Sequence, residues 1–161
     1  MKAYLIVLSI TLIFLACNPR DENSGVSSTP ISTSEVQDGK ELENPAYDPN
    51  RGAGKFSNVS LSEKLDASLA ISGSKVYGVK CGSCHKLTDE RLVGPGWKGV
   101  TGRHKPEWIL NFVTNTDEMI TKDPKAQAQL EICLVRMPNQ NISDVDAMSL
   151  LEFMRKNDGI K

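Results

Sequence analysis

The chain has 161 residues and a formal net charge of -1, from 19 basic and 20 acidic side chains. This balance lacks the basic excess with which proteins bind nucleic acid, so we expect no nucleic-acid partner. The length suits one ordinary domain together with additional segments. Aromatic residues make up only 6% of the chain, which predicts a thin hydrophobic core.

The first sixteen residues have the features of a secretory signal. Lys2 gives a positive start, and an apolar run extends from Tyr4 to Ala16. The run is short for a membrane span but suits the hydrophobic region of a signal peptide. We therefore expect residues 1–16 to be removed on export.

Cys17 follows this run directly. The stretch Phe14-Leu15-Ala16-Cys17 resembles a bacterial lipobox, in which the cysteine is lipidated and becomes the mature N-terminus. Phe14 and Leu15 depart from the usual residues of that motif, and an ordinary signal peptide with an incidental cysteine is the alternative. Lipidation would anchor the protein on the periplasmic side of a bacterial membrane, with the outer membrane as one candidate.

Residues 17–60 are predicted to form a flexible tether. Ser, Thr, Asn, Pro, Gly and charged residues dominate this segment, which therefore lacks the apolar surface that would offset its ordering entropy. A coil of about 40 residues spans roughly 35 Å, enough to let a domain reach several partners. The alternative is a leader that is trimmed away or partly packed on the domain.

Residues 61–161 are predicted to form one all-α domain with four helical stretches. The first helix leads directly into Cys81, and the second begins at Pro106. The third follows the cap Asp123-Pro124, and the last begins at Ser143 in a capping-box arrangement. A glycine-rich loop separates the first two helices, and no alternating pattern indicates a strand.

The string Cys81-Gly82-Ser83-Cys84-His85 carries the chemistry of the domain. This C-x-x-C-H pattern indicates covalent c-type haem attachment. Two thiols three positions apart at a helix end can form thioethers with the two vinyl groups of one porphyrin, and the adjacent histidine can ligate the iron. A thioredoxin-like pair would need a βαβ context, and a zinc site would need a second ligand pair. Both are absent from the sequence.

The domain, residues 70–161, resembles the class I c-type cytochromes, particularly small bacterial monohaem ones. The resemblance rests on the helix before the haem motif, the segment from Leu92 to Val100, the helix beginning Pro106-Glu107-Trp108, the pair Met137-Pro138 and the capped last helix. It implies a cytochrome c fold, with four to five helices and glycine-rich loops around one covalent haem c and its iron.

The same resemblance implies specific contacts. Met137 would be the sixth iron ligand, opposite His85, and the Pro95 carbonyl would accept the other ring N–H of His85. The first and last helices would cross near Gly73. Tyr77 and Phe153 would pack at that crossing.

Other residues complete the expected pocket. Trp97 and Trp108 are expected as haem-pocket walls. The resemblance also makes Trp108 and Arg103 candidates to bind a haem propionate, with surface or core roles as the alternative.

The sequence leaves the roles of three further residues undecided. Met119 in a short linker and His104 are the rivals of Met137 as sixth ligand, and a solvated loop position is the alternative for His104. Cys133 is expected to be buried packing, with a ligand, a redox thiol or an intermolecular disulfide as the other interpretations. Met148 and Met154 are expected to fill the core beside the last helix.

A haem iron with two protein ligands has no open position for oxygen or peroxide, so the predicted function is single-electron transfer rather than catalysis. We expect a monomer that shuttles electrons between respiratory partners, and the resemblance implies the kinds of partner. The donor would be a quinol-oxidising complex, and the acceptor would be a terminal oxidase or a nitrogen-oxide reductase. The alternatives are a haem enzyme or sensor with a labile sixth ligand, and a fixed subunit of a reductase or oxidase complex.

Overall fold

The computed structural model describes residues 47–161. The predicted signal peptide, Cys17 and the tether as far as residue 46 lie outside the described residues. The described part contains six helices, α1 (Ala67–Lys80), α2 (Val100–Arg103), α3 (Pro106–Thr114), α4 (Thr116–Lys122), α5 (Pro124–Cys133) and α6 (Asp144–Asn157). Within it there is no β-strand, only an isolated bridge between His85 and Arg91. The predicted all-α class is confirmed.

The starts of α5 and α6 are fixed by the predicted caps. The backbone N–H of Ala126 donates to the Asp123 carboxylate at 2.8 Å, and that of Asp146 donates to Ser143 Oγ at 3.1 Å. Each side chain satisfies an amide that has no partner within its helix. Pro124 occupies the first turn of α5, where its missing N–H costs nothing.

The structure has two helices more than the four that the sequence pattern predicts. α2 is a single turn that follows Gly99, whose φ is 73°. α4 has seven residues and is separated from α3 only by Asn115. Such short helices contain too few residues to establish a hydrophobic period. No helix in residues 47–161 is long and apolar enough to cross a membrane.

The helices α1 and α6 pack directly on each other. Gly73 is buried at their crossing, where an added Cβ would overlap the carbonyl oxygen of Ser149 and approach Phe153. The rings of Tyr77 and Phe153 lie 5.4 Å apart. The absent side chain at Gly73 lets the two backbones approach, which confirms the crossing that the resemblance implies.

Residues 47–60, predicted as the end of the flexible tether, are packed on α3 and α4; we call them the N-terminal strap. Asn111 of α3 is fully buried and donates through Nδ2 to the carbonyls of Arg51 and Phe56, at 2.8 and 2.9 Å. It also accepts the N–H of Phe56 at 2.9 Å. Buried side chains thus supply the hydrogen bonds that this irregular segment lacks internally. Residues 47–60 thus pack with the helical domain, whereas the sequence predicted that the domain begins at residue 61.

Candidate functional site

An apolar cavity lies between the turn after α1, the helices α3 and α5, and the loop before α6. Its empty volume is about 1080 Å³, including the open mouth. Seven of the eight residues that the sequence predicts for the cofactor site line this cavity: Cys84, His85, Pro95, Trp97, Arg103, Trp108 and Met137. The eighth, Cys81, is buried at the end of α1 and is not among the lining residues.

The two motif cysteines are placed by a tight turn at the end of α1. The backbone N–H groups of Cys84 and His85 both donate to the carbonyl of Cys81, at 3.0 and 2.9 Å. Neither cysteine forms a disulfide within residues 47–161. Burial raises the pKa of the Cys81 thiol to about 11, with Lys80 opposing this rise. Cys84, by contrast, is half-buried and lines the cavity.

The His85 side chain is buried and held on two sides. Its Nδ1 lies 2.9 Å from the Pro95 carbonyl oxygen, and since a carbonyl can only accept, Nδ1 carries the proton. Burial lowers the pKa of His85, and the Pro95 hydrogen bond opposes this shift. A Cβ on Gly94 would overlap the imidazole ring. The result is a neutral imidazole with the lone pair of Nε2 free, which is the form that binds a metal.

Met137 lies in the irregular segment between α5 and α6, half-buried at the cavity. Its rival Met119 does not line the cavity. Met119 is fully buried, and its Sδ accepts the N–H of Ala53 in the N-terminal strap at 3.0 Å. Met154 of α6 also lines the cavity, but it belongs to the packed core and is 3% exposed. Of these methionines, Met137 alone combines the cavity with a loop position.

Both tryptophans line the cavity as expected. Trp97 is buried against Tyr77, with the ring centroids 5.0 Å apart. Trp108 differs from its second predicted role, because its indole N–H donates to the buried carboxylate of Asp123 at 2.9 Å. The hydroxyl of Tyr47 in the strap donates to the same carboxylate. Trp108 is therefore a wall, and its N–H is not free for a propionate.

Arg103 lines the cavity at the end of α2. Its guanidinium donates to the carbonyls of Lys98 and Gly96, at 2.5 and 3.1 Å. These bonds fold the arginine over the glycine-rich loop and leave its positive charge at the cavity. The position is compatible with the predicted contact to a propionate.

His104 and Cys133 occupy positions that the sequence did not reveal. His104 is not a solvated loop residue, because its ring stacks on Trp108 with the centroids 3.9 Å apart and lines the cavity. Its Nδ1 is buried without a hydrogen-bond partner among the described residues. Cys133 is half-buried and lines the same cavity, rather than being enclosed in the core. No local pattern signals either placement.

These residues suit a large, flat, apolar cofactor that carries a metal and some polar groups. The cavity walls are mostly aliphatic and aromatic side chains, including Ile109, Phe112 and Leu130. A neutral imidazole and a thioether are a donor pair that binds iron in haem. The close approach of Gly94 to the His85 ring holds the imidazole in place beside the cavity.

A family model described as "Cytochrome c" matches residues 70–158. No curated protein sequence matches the chain. Among solved structures, a cytochrome c from Rhodothermus marinus is 33% identical with a TM-score of 0.66, covering 69% of this chain and 97% of its own. An engineered form of that cytochrome c, Rma TDE, is 32% identical with a TM-score of 0.65, covering 69% of this chain and 98% of its own.

A third similar structure is the engineered Rhodothermus marinus protein bound to a carbene intermediate. It is 32% identical, with a TM-score of 0.62, over 69% of this chain and 98% of that one. The share of the chain that these structures cover agrees with the helical domain described above.

Proposed function

Because the chain belongs to the cytochrome c family, and so binds haem c covalently with its iron, we propose that it is a monohaem single-electron carrier outside the cytoplasm. Cys81 and Cys84 would form the thioether links, and His85 and Met137 would ligate the iron. When bound, haem iron supplies one-electron oxidation and reduction. The polypeptide supplies the ligands, the walls and the charges around it.

The pairing of His85 and Met137 at one cavity carries this proposal. If both residues ligate the iron, no coordination position would be left for oxygen or peroxide. Methionine is a soft, neutral ligand and stabilises the ferrous state more than a second histidine would. A ligand set that is the same in both redox states would suit rapid transfer of single electrons.

The surrounding residues orient the histidine and exclude water. The Pro95 carbonyl fixes the tautomer of His85 at 2.9 Å, and the hydroxyl of Tyr77 donates to the His85 backbone carbonyl at 2.6 Å. Trp97 and Trp108 are each 6% exposed and keep solvent from two sides of the cavity. A dry, apolar site penalises the extra positive charge of ferric haem and so raises the reduction potential.

The Met137→Ala variant tests the ligand assignment. We expect the haem to remain attached and the reduction potential to fall by roughly 100 mV, within the ~0.8 V that axial ligands span. The ferrous variant would also bind CO, because a coordination position opens. Redox titration and CO-binding spectra check this result. Met148→Ala, on α6 and away from the cavity, is the matched control and should behave like the wild type.

The same spectra decide between an electron carrier and a haem enzyme or sensor. In an electron carrier, the wild-type ferric protein shows the weak long-wavelength band of methionine–iron ligation, and the ferrous protein does not bind CO rapidly. Rapid binding of CO or peroxide by the wild type would instead favour a labile sixth ligand. A Met137→Ala variant with wild-type spectra would contradict the assignment of Met137.

The proposed location rests on the N-terminal sequence. The apolar run up to Ala16 and the following Cys17 favour export and lipid anchoring on the periplasmic side of a bacterial membrane. A Cys17→Ser variant should move from the membrane fraction to the soluble periplasmic fraction. A wild-type protein that is already soluble after fractionation would contradict the anchor.

The proposed partners are a quinol-oxidising complex as donor and a terminal oxidase or nitrogen-oxide reductase as acceptor. Their support is the likeness to small monohaem cytochromes together with the expected location. Stopped-flow mixing of the purified protein with membranes that contain these complexes measures both reactions. Stable co-purification with a single complex would instead favour a fixed subunit.

A further inference from the structure

The chain around Met137 has few backbone contacts of its own. We call residues 135–140, which follow the end of α5, the methionine segment. In the part of the chain that the structure describes, no backbone–backbone hydrogen bond involves these residues. Leu134, directly before them, has a φ of 58°, a left-handed conformation that is unfavourable for leucine. Side chains from other parts of the domain must therefore hold this segment in place.

Arg91 anchors the chain just before the methionine segment. Its Nη1 donates to the carbonyl oxygen of Ile132 at 2.5 Å, in the last turn of α5. Carbonyls in a last turn have no partner within their helix, and the negative end of the helix dipole favours a cation there. Because α5 has no basic residue in its own last turn, the cation comes from another part of the chain.

Lys80 anchors the other end of the methionine segment. Its Nζ donates to the carbonyl oxygen of Gln140 at 2.8 Å, in a partly buried position. Neither Lys80 nor Arg91 forms an ion pair with a carboxylate within residues 47–161. Both cations are therefore paired with backbone carbonyls at the two ends of one segment.

The two cations come from the haem-attachment motif, one from each side of it. Lys80 directly precedes Cys81, and Arg91 pairs with His85 through an isolated backbone bridge. Neither cation lines the cavity, so each acts through the segment that it contacts and not on the cofactor. The part of the chain that carries His85 is thus linked at two points to the part that carries Met137.

We propose that Lys80 and Arg91 are positioning residues that hold Met137 at the haem iron by clamping the two ends of the methionine segment. This inference rests on the proposed function, because it takes Met137 as the sixth ligand. Arg136 makes a further contact, to the Asp117 carboxylate at 3.1 Å, but that pair links the segment to α4 and not to the haem motif. The clamp slows the departure of the methionine and so keeps the ligand set constant during electron transfer.

The test measures how fast imidazole displaces Met137 in the ferric holoproteins. Imidazole can bind the iron only after the methionine has left, so its binding rate reports how often the segment opens. The wild type is compared with Lys80→Gln and Arg91→Gln, in which a shorter, uncharged side chain loses the contact. We expect each variant to raise the rate roughly tenfold, as for loss of one hydrogen bond from a charged donor.

Lys86→Gln is the matched control for loss of charge. Lys86 also lies beside the haem motif, but it pairs with Glu90 at 2.7 Å on the surface. Loss of a cation near the haem should lower the reduction potential in all three glutamine variants, whereas Lys86→Gln should bind imidazole at the wild-type rate. Arg91→Lys keeps a cation and an N–H donor for the single bond to Ile132, so its rate should return toward that of the wild type.

Trypsin cleavage gives a second measurement that does not use the iron. Arg136 is exposed, and the bond between Arg136 and Met137 is a trypsin site inside the methionine segment. Proteolysis is faster when the cleaved segment opens more often. We expect faster cleavage at this bond in Lys80→Gln and Arg91→Gln, followed by mass spectrometry, and wild-type cleavage in Lys86→Gln.

The outcomes separate this inference from the proposed function. Wild-type rates of imidazole binding and cleavage in Lys80→Gln and Arg91→Gln, or equal acceleration in Lys86→Gln, would overturn the inference. If these rates are unchanged while the methionine–iron band is intact, the proposed function stands without the clamp. If the wild type lacks that band, the proposed function fails, and the cleavage rates still decide whether the two cations hold the segment.

Discussion

His85 depends on contacts from its immediate neighbours along the glycine-rich loop. The Pro95 carbonyl sets the tautomer, and the backbone of Gly94 lies against the ring, where a Cβ would be only 2.7 Å from Nδ1. A glycine at this position is therefore required by a close approach to the imidazole, and not by backbone conformation.

Substituting Gly94 tests this packing. In Gly94→Ala, the new methyl group should displace the His85 ring, weaken its bond to iron and destabilise the protein by about 1–3 kcal/mol, as overpacking does. Ferric absorption spectra and thermal unfolding measure both effects. Gly102→Ala, where a Cβ would contact nothing within 4 Å, is the control. Equal spectra and equal stability for the two variants would contradict the close approach.

Among the helices, the crossing of α1 and α6 brings together the first and the last helix of the domain. Gly73 and Gly78 both lie on α1 but in opposite environments. A Cβ at Gly73 would overlap the Ser149 carbonyl, whereas a Cβ at Gly78 would contact nothing within 4 Å. The same substitution is therefore expected to have opposite signs at the two sites.

Gly73→Ala should lower the free energy of unfolding by about 1–3 kcal/mol or more, because the overlap is with backbone and cannot relax by rotamer change. Gly78→Ala should raise it by about 0.5–1 kcal/mol, because alanine loses less conformational entropy in a helix. Unfolding of both holoproteins in urea compares them directly. Stabilisation by Gly73→Ala would exclude this crossing geometry.

The N-terminal strap also acts at the level of elements. Asn111 holds its backbone, and Met119 accepts the N–H of Ala53. The hydroxyl of Tyr47 reaches the carboxylate of Asp123, which caps α5 and receives the indole N–H of Trp108. The strap thereby connects α3, α4 and α5. Met119 is buried beneath the strap and is therefore not available as an iron ligand.

For the molecule as a whole, the haem cavity is bounded by most elements of the described domain. Its lining residues come from positions spread between Cys84 and Met154, on α2, α3, α4, α5, α6 and the intervening loops. The sequence supplies few aromatic residues for a core. The bound haem c therefore completes the interior, in the way that small domains use a cofactor to supplement a thin core.

Much of the fold and the attachment motif could be predicted because their signals are local. The motif Cys81–His85 is defined by covalent spacing, and the caps at Asp123 and Ser143 act on amides three residues away. The helical period of the first and last helices identifies buried faces without knowledge of their partners. Together with the family resemblance, these signals were sufficient for the class and the cofactor.

Only the tertiary structure decided which distant groups meet. The strap binds Asn111 across 55 residues, and Tyr47 meets Asp123 across 76, distances at which sequence periodicity carries no information. Because buried polar groups must find partners, these contacts hold residues 47–60, which have a tether-like composition, against the helices. The same long-range packing moved His104 from an expected loop surface to the cavity, since stacking on Trp108 depends on the arrangement of the helices and not on neighbouring residues.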